Sequence, residues 1–401
     1  MDVPLMPDCA SDEYGYHEDA VPVSWRIPGS PDGHTLILLR TLAAVEGALY
    51  GDNRDTSGIH PDDSVLGIGR ESSYGLFRLD AAQSRRVRAI INPIFSPTAV
   101  GRWDQALSVA ARARAGALAR ASVDGGDLVV EYVTPLLADM TRITAGLDER
   151  QWEVLQDLVG RADGLITMPT DHAVVDSARC QFRDFASELT LERRAGPELG
   201  DLVSQCCRAL QLHLPDDQVL PPLMNVLAGF PSAGPAVFAS LLLEILAQDD
   251  EVLATCRNLH TTQDAVREAL RLVAPFTCLV PGKLTYPIHA GKQTIPRGAL
   301  VIPVIRAAYR DPKYAGPEPG TFRLGRPRRL VLAFGAGAHR CPAYSLMMRF
   351  FTIAVTAIVD AGIRLAVPAD EVPLRPGGLM RIPDEIPVTR VGALRRPGVF
   401  S

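Results

Sequence analysis

The chain has 401 residues, of which 47% are hydrophobic and 22% charged, and its formal net charge is −5 at pH 7. This composition is typical of a globular protein and excludes disordered, collagen-like and coiled-coil chains. Because the charge balance is slightly acidic, sequence-independent binding to nucleic acid is also excluded, and we expect no nucleic-acid partner.

The cysteines and the apolar segments indicate where the protein resides. Seven cysteines are scattered along the chain without a C-x-x-C pair, so neither a disulfide framework nor a zinc site is expected, and a reducing cytoplasm fits best. The first 20 residues are acidic and lack the apolar core of a signal peptide. Residues 218–243 carry no charge, but four prolines interrupt them. We therefore expect a buried central helix there rather than a membrane span.

In chain order, the predicted elements run from an irregular arm through a helical body to short strands. Residues 1–35 are rich in Pro, Gly and Asp and indicate an irregular N-terminal arm. Apolar periodicity predicts helices over residues 36–52, 84–94, 97–121, 127–145, 150–165, 175–192, 197–214, 250–258, 262–272 and 344–361. Short apolar runs predict strands within 278–304 and 363–391, and residues 307–330 are predicted to be a loop. No composition break marks a second domain, so residues 36–401 are predicted to form a single large domain, mainly α with a small β part.

The segment FGAGAHRCPA at residues 334–343 carries the clearest chemical signal. Its glycines let the backbone approach a flat or bulky group, and Pro342 suits the first turn of a helix that begins beside Cys341. A thiolate there would face unpaired backbone N–H groups and the positive end of the helix dipole, which lower a thiol pKa. A single Cys cannot build a closed zinc site, so Cys341 is a candidate axial ligand of heme iron. The alternative is a structural Cys in a tight turn.

This segment resembles the heme-binding loop F-G-x-G-x-H/R-x-C of the cytochrome P450 family. The resemblance implies the cytochrome P450 fold and a heme b whose iron Cys341 would bind. It further implies that Phe334 packs beside the sulfur, that Gly335 belongs to the cofactor cradle, and that His339 reaches a heme propionate.

Other motifs follow in the order found in the family. Glu268 and Arg271 match its E-x-x-R motif, and residues three apart on a helix can pair on one face. The resemblance implies that this pair keeps the Cys loop in place. Residues 85–97 resemble the helix that reaches the heme edge, which puts Arg88 at a propionate-binding position.

Three cofactor positions depart from the family pattern. A propionate-binding His is replaced by Ser84, and a propionate-binding Arg by Gly282, with Lys283 beside it as a candidate substitute. The Arg that normally joins the E-x-x-R pair falls at Thr321. Fewer cationic partners for two buried carboxylates are expected to weaken heme retention.

The distal side departs further. Typical members carry an acid followed by an alcohol above the heme, and the two relay protons to bound dioxygen. The residues at this place are Ala228, Gly229, Phe230, Pro231 and Ser232, which are predicted to shape the oxygen and substrate side. A proline cannot donate a proton and kinks a helix, so only Ser232 retains a hydroxyl. Non-standard oxygen activation is therefore predicted.

The resulting prediction is a cytochrome P450-type oxidoreductase with monooxygenase chemistry on a small, largely apolar natural product. Electrons would come from a ferredoxin and a ferredoxin reductase, and an Arg cluster at residues 326–329 with Arg340 would receive the ferredoxin. A solvated charged loop explains this cluster equally well. Two other functions stay open: peroxide-driven or non-oxidative heme chemistry such as coupling, cyclisation or rearrangement, and a degenerate partner protein that stabilises another enzyme.

Overall fold

The computed structural model describes residues 20–26, 33–51, 53–56, 79, 81–122, 125–162, 172–196, 199–326, 331–377 and 380–390. Within these ranges it has twelve strands and fifteen α-helices. The strands are β1 (Ala20–Arg26), β2 (Gly33–Leu39), β3 (Arg54–Asp55), β4 (Gly126–Asp127), β5 (Gly282–Leu284), β6 (Ile288–Ala290), β7 (Gln293–Ile295), β8 (Leu300–Pro303), β9 (Ile363–Leu365), β10 (Leu374–Gly377), β11 (Met380–Pro383) and β12 (Pro387–Arg390). The helices are α1 (Leu42–Leu49), α2 (Ala81–Ile91), α3 (Pro97–Val100), α4 (Asp104–Ala121), α5 (Thr134–Ala145), α6 (Glu149–Ala162), α7 (His172–Ala195), α8 (Leu202–His213), α9 (Asp216–Ala228), α10 (Gly234–Leu246), α11 (Asp250–Thr255), α12 (Leu259–Val273), α13 (Ile305–Arg310), α14 (Pro312–Ala315) and α15 (Tyr344–Asp360).

The largest sheet combines three strands from the N-terminal part of the chain with two strands that follow α12. Its strand order is β1-β2-β8-β5-β3, with β2 and β8 parallel and the other pairs antiparallel. Smaller sheets pair β6 with β7, β10 with β11, and β12 with both β4 and β9. The short strands β3 and β5 form one edge of the largest sheet. This edge matters below, because it borders the candidate site.

Two sequence predictions near the N-terminus were wrong. The arm over residues 1–35 is not irregular throughout, because β1 and the start of β2 lie inside it; residues 1–19 are outside the described residues. The helix predicted over residues 36–52 begins only at Leu42. Residues 36–39 are an apolar run that hydrogen-bonds to β1 and to β8, and Thr41 caps the helix through its side chain. A short buried strand and a helix segment look alike by periodicity alone.

Helix α10 is central to the core. Phe238, near its middle, is fully buried and contacts two aromatic side chains of α15, with ring centroids 5.1 Å from Phe350 and 5.5 Å from Phe351. Tyr132 packs on the same ring and donates its hydroxyl to the Ala354 carbonyl at 2.7 Å. Such aromatic contacts add about 0.5–1.5 kcal/mol each beyond buried area. The fold is mainly helical with small sheets, as predicted.

The loop predicted over residues 307–330 also differs from expectation. Its first part forms α13 and α14, and Asp311 caps α14 by accepting from the Lys313 backbone N–H at 2.9 Å. The same carboxylate accepts from the Leu42 N–H at 2.9 Å and so ties this segment to α1. None of the helices among the described residues has the length and apolar character to cross a membrane.

Candidate functional site

The predicted Cys loop connects two short 3-10 turns to the start of α15. Leu332–Phe334 forms the first turn and Gly337–His339 the second. The loop closes on itself through the Cys341 backbone N–H, which donates to the Phe334 carbonyl at 2.7 Å. Cys341 lies two residues before Ala343, the N-cap residue of α15.

Both glycines of the loop are required by the backbone. Gly335 has φ +68° and Gly337 has φ +64°, in the left-handed region that favours glycine. A Cβ on Gly337 would lie 2.0 Å from the Leu49 carbonyl oxygen. This close approach lets the loop pack directly against the end of α1.

Cys341 is half-buried, and the surrounding protein, which keeps water from the sulfur, is the largest influence on its pKa. Burial raises that pKa above its ordinary value, while the Ala343 backbone N–H and the charges of Arg88 and Arg340 act in the opposite direction. The sequence prediction of a lowered pKa was therefore wrong for the protein without a bound cation. The donors and the helix terminus are present as predicted, but sequence does not reveal how deeply the sulfur is buried.

Aromatic side chains surround the Cys loop. The Phe334 and Tyr344 rings meet edge to face, with centroids 5.3 Å apart. The Arg340 guanidinium lies over the Tyr344 ring at 4.2 Å, within cation–π distance. Arg340 is thus partly engaged with the loop itself rather than held entirely in solvent.

The opposite side is formed by a broken central helix, as the prolines predicted. Helix α9 ends at Ala228 and α10 begins at Gly234, and residues 229–233 form turns between them. Pro231 has no N–H to continue the helical ladder. The Ser232 N–H still donates to the Ala228 carbonyl at 3.1 Å, which keeps the two helix segments connected through the break.

A cavity of about 310 Å³ separates the broken helix from the Cys loop. On the loop side it is lined by Phe334, Gly335, His339 and Cys341, four of the residues predicted from the sequence to bind the cofactor. On the helix side it is lined by several of the predicted distal residues and by others that sequence reasoning missed: Asn225, Val226, Gly229, Phe230, Ser232, Ala233, Gly234 and Val237. Ala228 and Pro231 do not line it. A helical residue one turn before Gly229 faces the same way, and this spacing is the signal that would have found Asn225.

The predicted cation Arg88 reaches the cavity from α2. Its Nε donates to Ser84 Oγ at 3.1 Å, and its Nη1 donates to the Arg340 carbonyl. Ser84, which stands where the family has a His, donates its hydroxyl to the Ala338 carbonyl at 2.8 Å. Burial lowers the pKa of Arg88, and the nearby Cys341 thiol partly offsets this effect. Ser84 thus joins α2 to the Cys loop instead of offering another cation.

Lys283 was predicted as a substitute cation, and the structure contradicts this. Successive residues of a strand point to opposite faces. In β5, Gly282 and Leu284 are buried and Lys283 is exposed, so its side chain lies on the face away from the cavity and does not line it. Arg54, on the neighbouring strand β3, does line the cavity and was not identified from the sequence. Nothing in a two-residue strand next to an irregular segment indicates such a pairing.

The E-x-x-R pair forms a buried network with Arg326, which the sequence analysis placed in the cluster predicted to receive a ferredoxin. Glu268 Oε1 accepts from Arg271 Nη2 at 2.8 Å and from Arg326 Nε at 2.9 Å, and all three side chains are largely buried. Arg271 Nη2 and Arg326 Nη2 also donate to the Thr321 carbonyl, at 3.2 and 3.0 Å.

Arg326 thus takes the place left by Thr321 and does not belong to a solvated cluster. Residues 327–330 of that cluster are outside the described residues.

Taken together, these features define a class of protein. A glycine-containing Cys loop, anchored by a buried Glu–Arg network, faces a broken central helix across a mostly apolar cavity with cationic groups at its wall. This arrangement places a cysteine thiol and two arginine side chains, Arg54 and Arg88, in the wall of one cavity.

Comparison with known proteins leads to the same class. The family model for cytochrome P450 matches residues 242–360. Nocardicin C N-oxygenase of Nocardia uniformis subsp. tsuyamanensis is 27% identical over 267 residues, covering 66% of each chain. Mycocyclosin synthase of Mycobacterium tuberculosis is 36% identical over 126 residues, covering 31% of this chain and 32% of that one. The matched segments thus span 66% or less of these curated relatives.

The fold comparison covers almost the whole chain. The cytochrome P450 PksS of the bacillaene polyketide synthase of Bacillus subtilis 168 has a TM-score of 0.82 and 18% identity, over 97% of this chain and 99% of that one. The chain therefore has the cytochrome P450 fold, and its residues 242–360 match the family model.

The residues present fit the heme that this family binds through a cysteine thiolate. A coordinating metal ion deprotonates a thiol, which would oppose the effect of burial on Cys341. Gly335 lines the cavity without a side chain, and a Cβ there would lie 3.3 Å from the His339 carbonyl oxygen. Arg88 and Arg54 supply buried guanidinium groups for carboxylates, and the Nε of Arg54 has no hydrogen-bond partner among the described residues.

Proposed function

We propose that this protein is a cytochrome P450-type oxidoreductase that binds heme b through Cys341 and oxidises a small, largely apolar natural product. The observation that carries the proposal is the position of Cys341 in the wall of a cavity faced by the broken central helix. The rest of the lining is mainly apolar, with side chains such as Phe95, Phe276 and Leu279. A mostly apolar lining with a few polar groups is typical of small-molecule sites. The relatives named as an N-oxygenase and a synthase support a role in natural-product metabolism.

Different residues of the chain would bind the iron, bind the propionates and hold the Cys loop in position. When bound, heme supplies the iron that accepts electrons and activates an oxidant. Cys341 would bind this iron, and Phe334 beside it would keep water from the sulfur. Arg88 and His339 would bind the propionates through charge-assisted hydrogen bonds. The buried Glu268 network would keep the Cys loop in register while the cofactor binds.

Proton movement on the distal side would differ from that of typical members. Pro231 carries no proton and does not line the cavity. Two side chains of the central helix that line it can exchange or orient a proton, the Ser232 hydroxyl and the Asn225 amide. Both are weak acids, so any proton delivered through them would pass along a chain of hydrogen bonds rather than from an ionised group.

The replacement of the acid by Pro231 also favours a second candidate function. With Pro231 in place of an acid, peroxide-driven or non-oxidative heme chemistry needs no proton relay from this helix. The third possibility, a degenerate partner protein that stabilises another enzyme, does not explain why the complete Cys loop lines a cavity.

The first test concerns the iron ligand, because two thiols line the cavity. Cys341 belongs to the Cys loop, and Cys278 belongs to the segment between α12 and β5. We expect the purified protein, reduced under carbon monoxide, to give the red-shifted Soret band of a thiolate-ligated heme. Cys341→Ala should abolish this band, and Cys278→Ala should keep it. An unchanged band in Cys341→Ala would overturn the assignment of the ligand.

The second test separates the two candidate functions. An alkoxycoumarin serves as a fluorogenic probe, with dealkylation measured once with ferredoxin, reductase and dioxygen, and once with hydrogen peroxide. In the variant Pro231→Asp with Ser232→Thr, we expect the dioxygen-driven rate to rise about tenfold or more relative to the peroxide-driven rate, because a positioned acid contributes at least that much. Ser232→Thr alone is the control. A constant ratio would mean that the missing acid does not limit oxygen activation.

The remaining proposals concern partners and location. We infer that electrons come from a ferredoxin and a ferredoxin reductase, since no nucleotide-binding motif occurs in the sequence. Arg340, partly exposed beside the Cys loop, is the described residue of the predicted docking cluster that stays available to an acidic partner. A cytoplasmic location remains a prediction from the scattered cysteines.

A further inference from the structure

A buried arginine without an anionic partner lies in the cavity wall outside every motif identified in the sequence. Arg54 of β3 is 5% exposed, and it lines the cavity together with Arg88 and Cys341. Its Nη1 donates to the Val280 carbonyl. Its Nε has no hydrogen-bond partner, and no carboxylate of the described residues pairs with it. Burying a charge without an anionic partner is costly, so its retention in the wall of a cavity points to an anionic ligand.

The backbone next to Arg54 is adapted to its side chain. Strand β3 pairs antiparallel with β5, with Arg54 opposite Leu284 and Asp55 opposite Lys283. A Cβ on Gly282 would lie 2.4 Å from Cγ and 2.9 Å from Cδ of Arg54. The stem of Arg54 therefore occupies the space in which a side chain at position 282 would begin. An arginine at 54 and a side chain at 282 exclude each other.

Position 282 is where the family resemblance places a propionate-binding arginine. We propose that Arg54 supplies this missing guanidinium from the neighbouring strand and binds a carboxylate inside the cavity. The carboxylate belongs either to the heme or to the substrate, and both offer the same chemistry to a guanidinium. This inference rests on the proposed function, since the cavity must hold heme, its substrate, or both.

The main test measures heme retention rather than turnover. Heme transfer from the ferric protein to an excess of apomyoglobin is followed for wild type, Arg54→Met, Lys283→Met, and the exchange variant Arg54→Ala with Gly282→Arg. If Arg54 binds a propionate, we expect Arg54→Met to release heme about tenfold faster or more, as loss of one charge-assisted bond implies. Lys283→Met, an equally drastic change on the exposed face, should behave as wild type. The exchange variant should restore slow release, which a merely structural role of Arg54 does not predict.

A second arm identifies a carboxylate supplied by the substrate. Dodecanoate and dodecanol, which share one apolar chain, are titrated calorimetrically into wild type and Arg54→Met. Unchanged heme release with a loss of about tenfold in dodecanoate affinity alone assigns the carboxylate to the substrate. Unchanged heme release and unchanged dodecanoate binding overturn the proposal. If the wild type retains no heme, the proposed function fails, and the dodecanoate comparison still decides the role of Arg54.

Discussion

At the scale of a single residue, Gly337 determines how closely the Cys loop packs on α1. Its φ is +64°, and a Cβ would lie 2.0 Å from the Leu49 carbonyl oxygen, a backbone atom that cannot rotate away. A side chain here would push the loop, and Cys341 with it, away from the rest of the cavity wall.

Gly337→Ala is therefore expected to cost about 3 kcal/mol or more of stability. Gly362→Ala is the matched control, because Gly362 has φ +75° but no heavy atom within 4 Å of a built Cβ. That control should cost only the left-handed penalty of about 1–2 kcal/mol. Urea unfolding of both apoproteins measures the difference. Equal losses would show that the contact with Leu49 does not constrain the loop.

Residues predicted from a motif within one short segment lie together in the structure. Phe334, Gly335, His339 and Cys341 all line the cavity, because eight consecutive positions leave little freedom in the loop. Prediction from the sequence fails where the role depends on pairing between distant strands. Lys283 is adjacent to Gly282, where the family resemblance places an arginine. Because successive residues of a strand point to opposite faces, the Lys283 side chain cannot take the place of a side chain at 282.

At the scale of elements, the Glu268 network connects α12 to the segment that leads into the Cys loop. Glu268 and Arg271 belong to α12, whereas Thr321 and Arg326 belong to the segment between α14 and the Cys loop. The Arg323 backbone N–H also donates to Glu268 Oε1, at 3.0 Å. Removing one partner leaves a buried charge without full compensation.

Arg326→Gln is expected to destabilise the protein by about 3 kcal/mol, in the range measured for broken buried pairs. Arg375→Gln is the control, since Arg375 pairs with Asp384 at the surface, where such pairs contribute about 0–1 kcal/mol. Chemical unfolding of each variant gives both values. If the two losses are alike, the network does not anchor the loop, and Arg326 is no replacement for the arginine absent from Thr321.

Prolines and apolar runs differ in how well they predict elements. The break between α9 and α10 coincides with Pro231, which has no N–H to continue the helix, whereas Pro221 and Pro222 lie inside α9 without ending it. The strand at residues 36–39 was predicted as helix, because its partners in β1 and β8 are separated in sequence and only the folded sheet brings them together.

At the scale of the whole molecule, motifs in the sequence predicted the architecture. They did not predict the pairing of β3 with β5, which places Arg54 in the cavity wall. The order of β2, β8, β5 and β3 brings Arg54 beside Gly282 from more than two hundred positions away. In the role proposed for Arg54, this pairing replaces one cation by another without a change of fold. Function at this edge is therefore a property of register, which local patterns do not encode.

The buried charge of Arg54 at this sheet edge should lower the free energy of unfolding of the apoprotein. Burial lowers the pKa of Arg54 from its ordinary value to about 10, because the folded protein disfavours the charged guanidinium. The folded-state pKa lies below the unfolded one, so the unfolded chain binds the proton more readily between these values. The cost is therefore fully present below about pH 10 and is relieved as pH rises towards the unfolded pKa.

Arg54→Met, which keeps the apolar stem and removes the charge, is thus expected to stabilise the apoprotein by about 1–3 kcal/mol between about pH 6 and pH 9. Urea unfolding across this range should show a constant difference from wild type, since the group does not titrate there. Lys283→Met should leave stability within about 0.5 kcal/mol. If Arg54→Met instead destabilises the apoprotein, Arg54 serves the fold through its bond to Val280 rather than a ligand. A more stable apoprotein that binds its carboxylate ligand less tightly would mean that the chain retains this buried charge for binding.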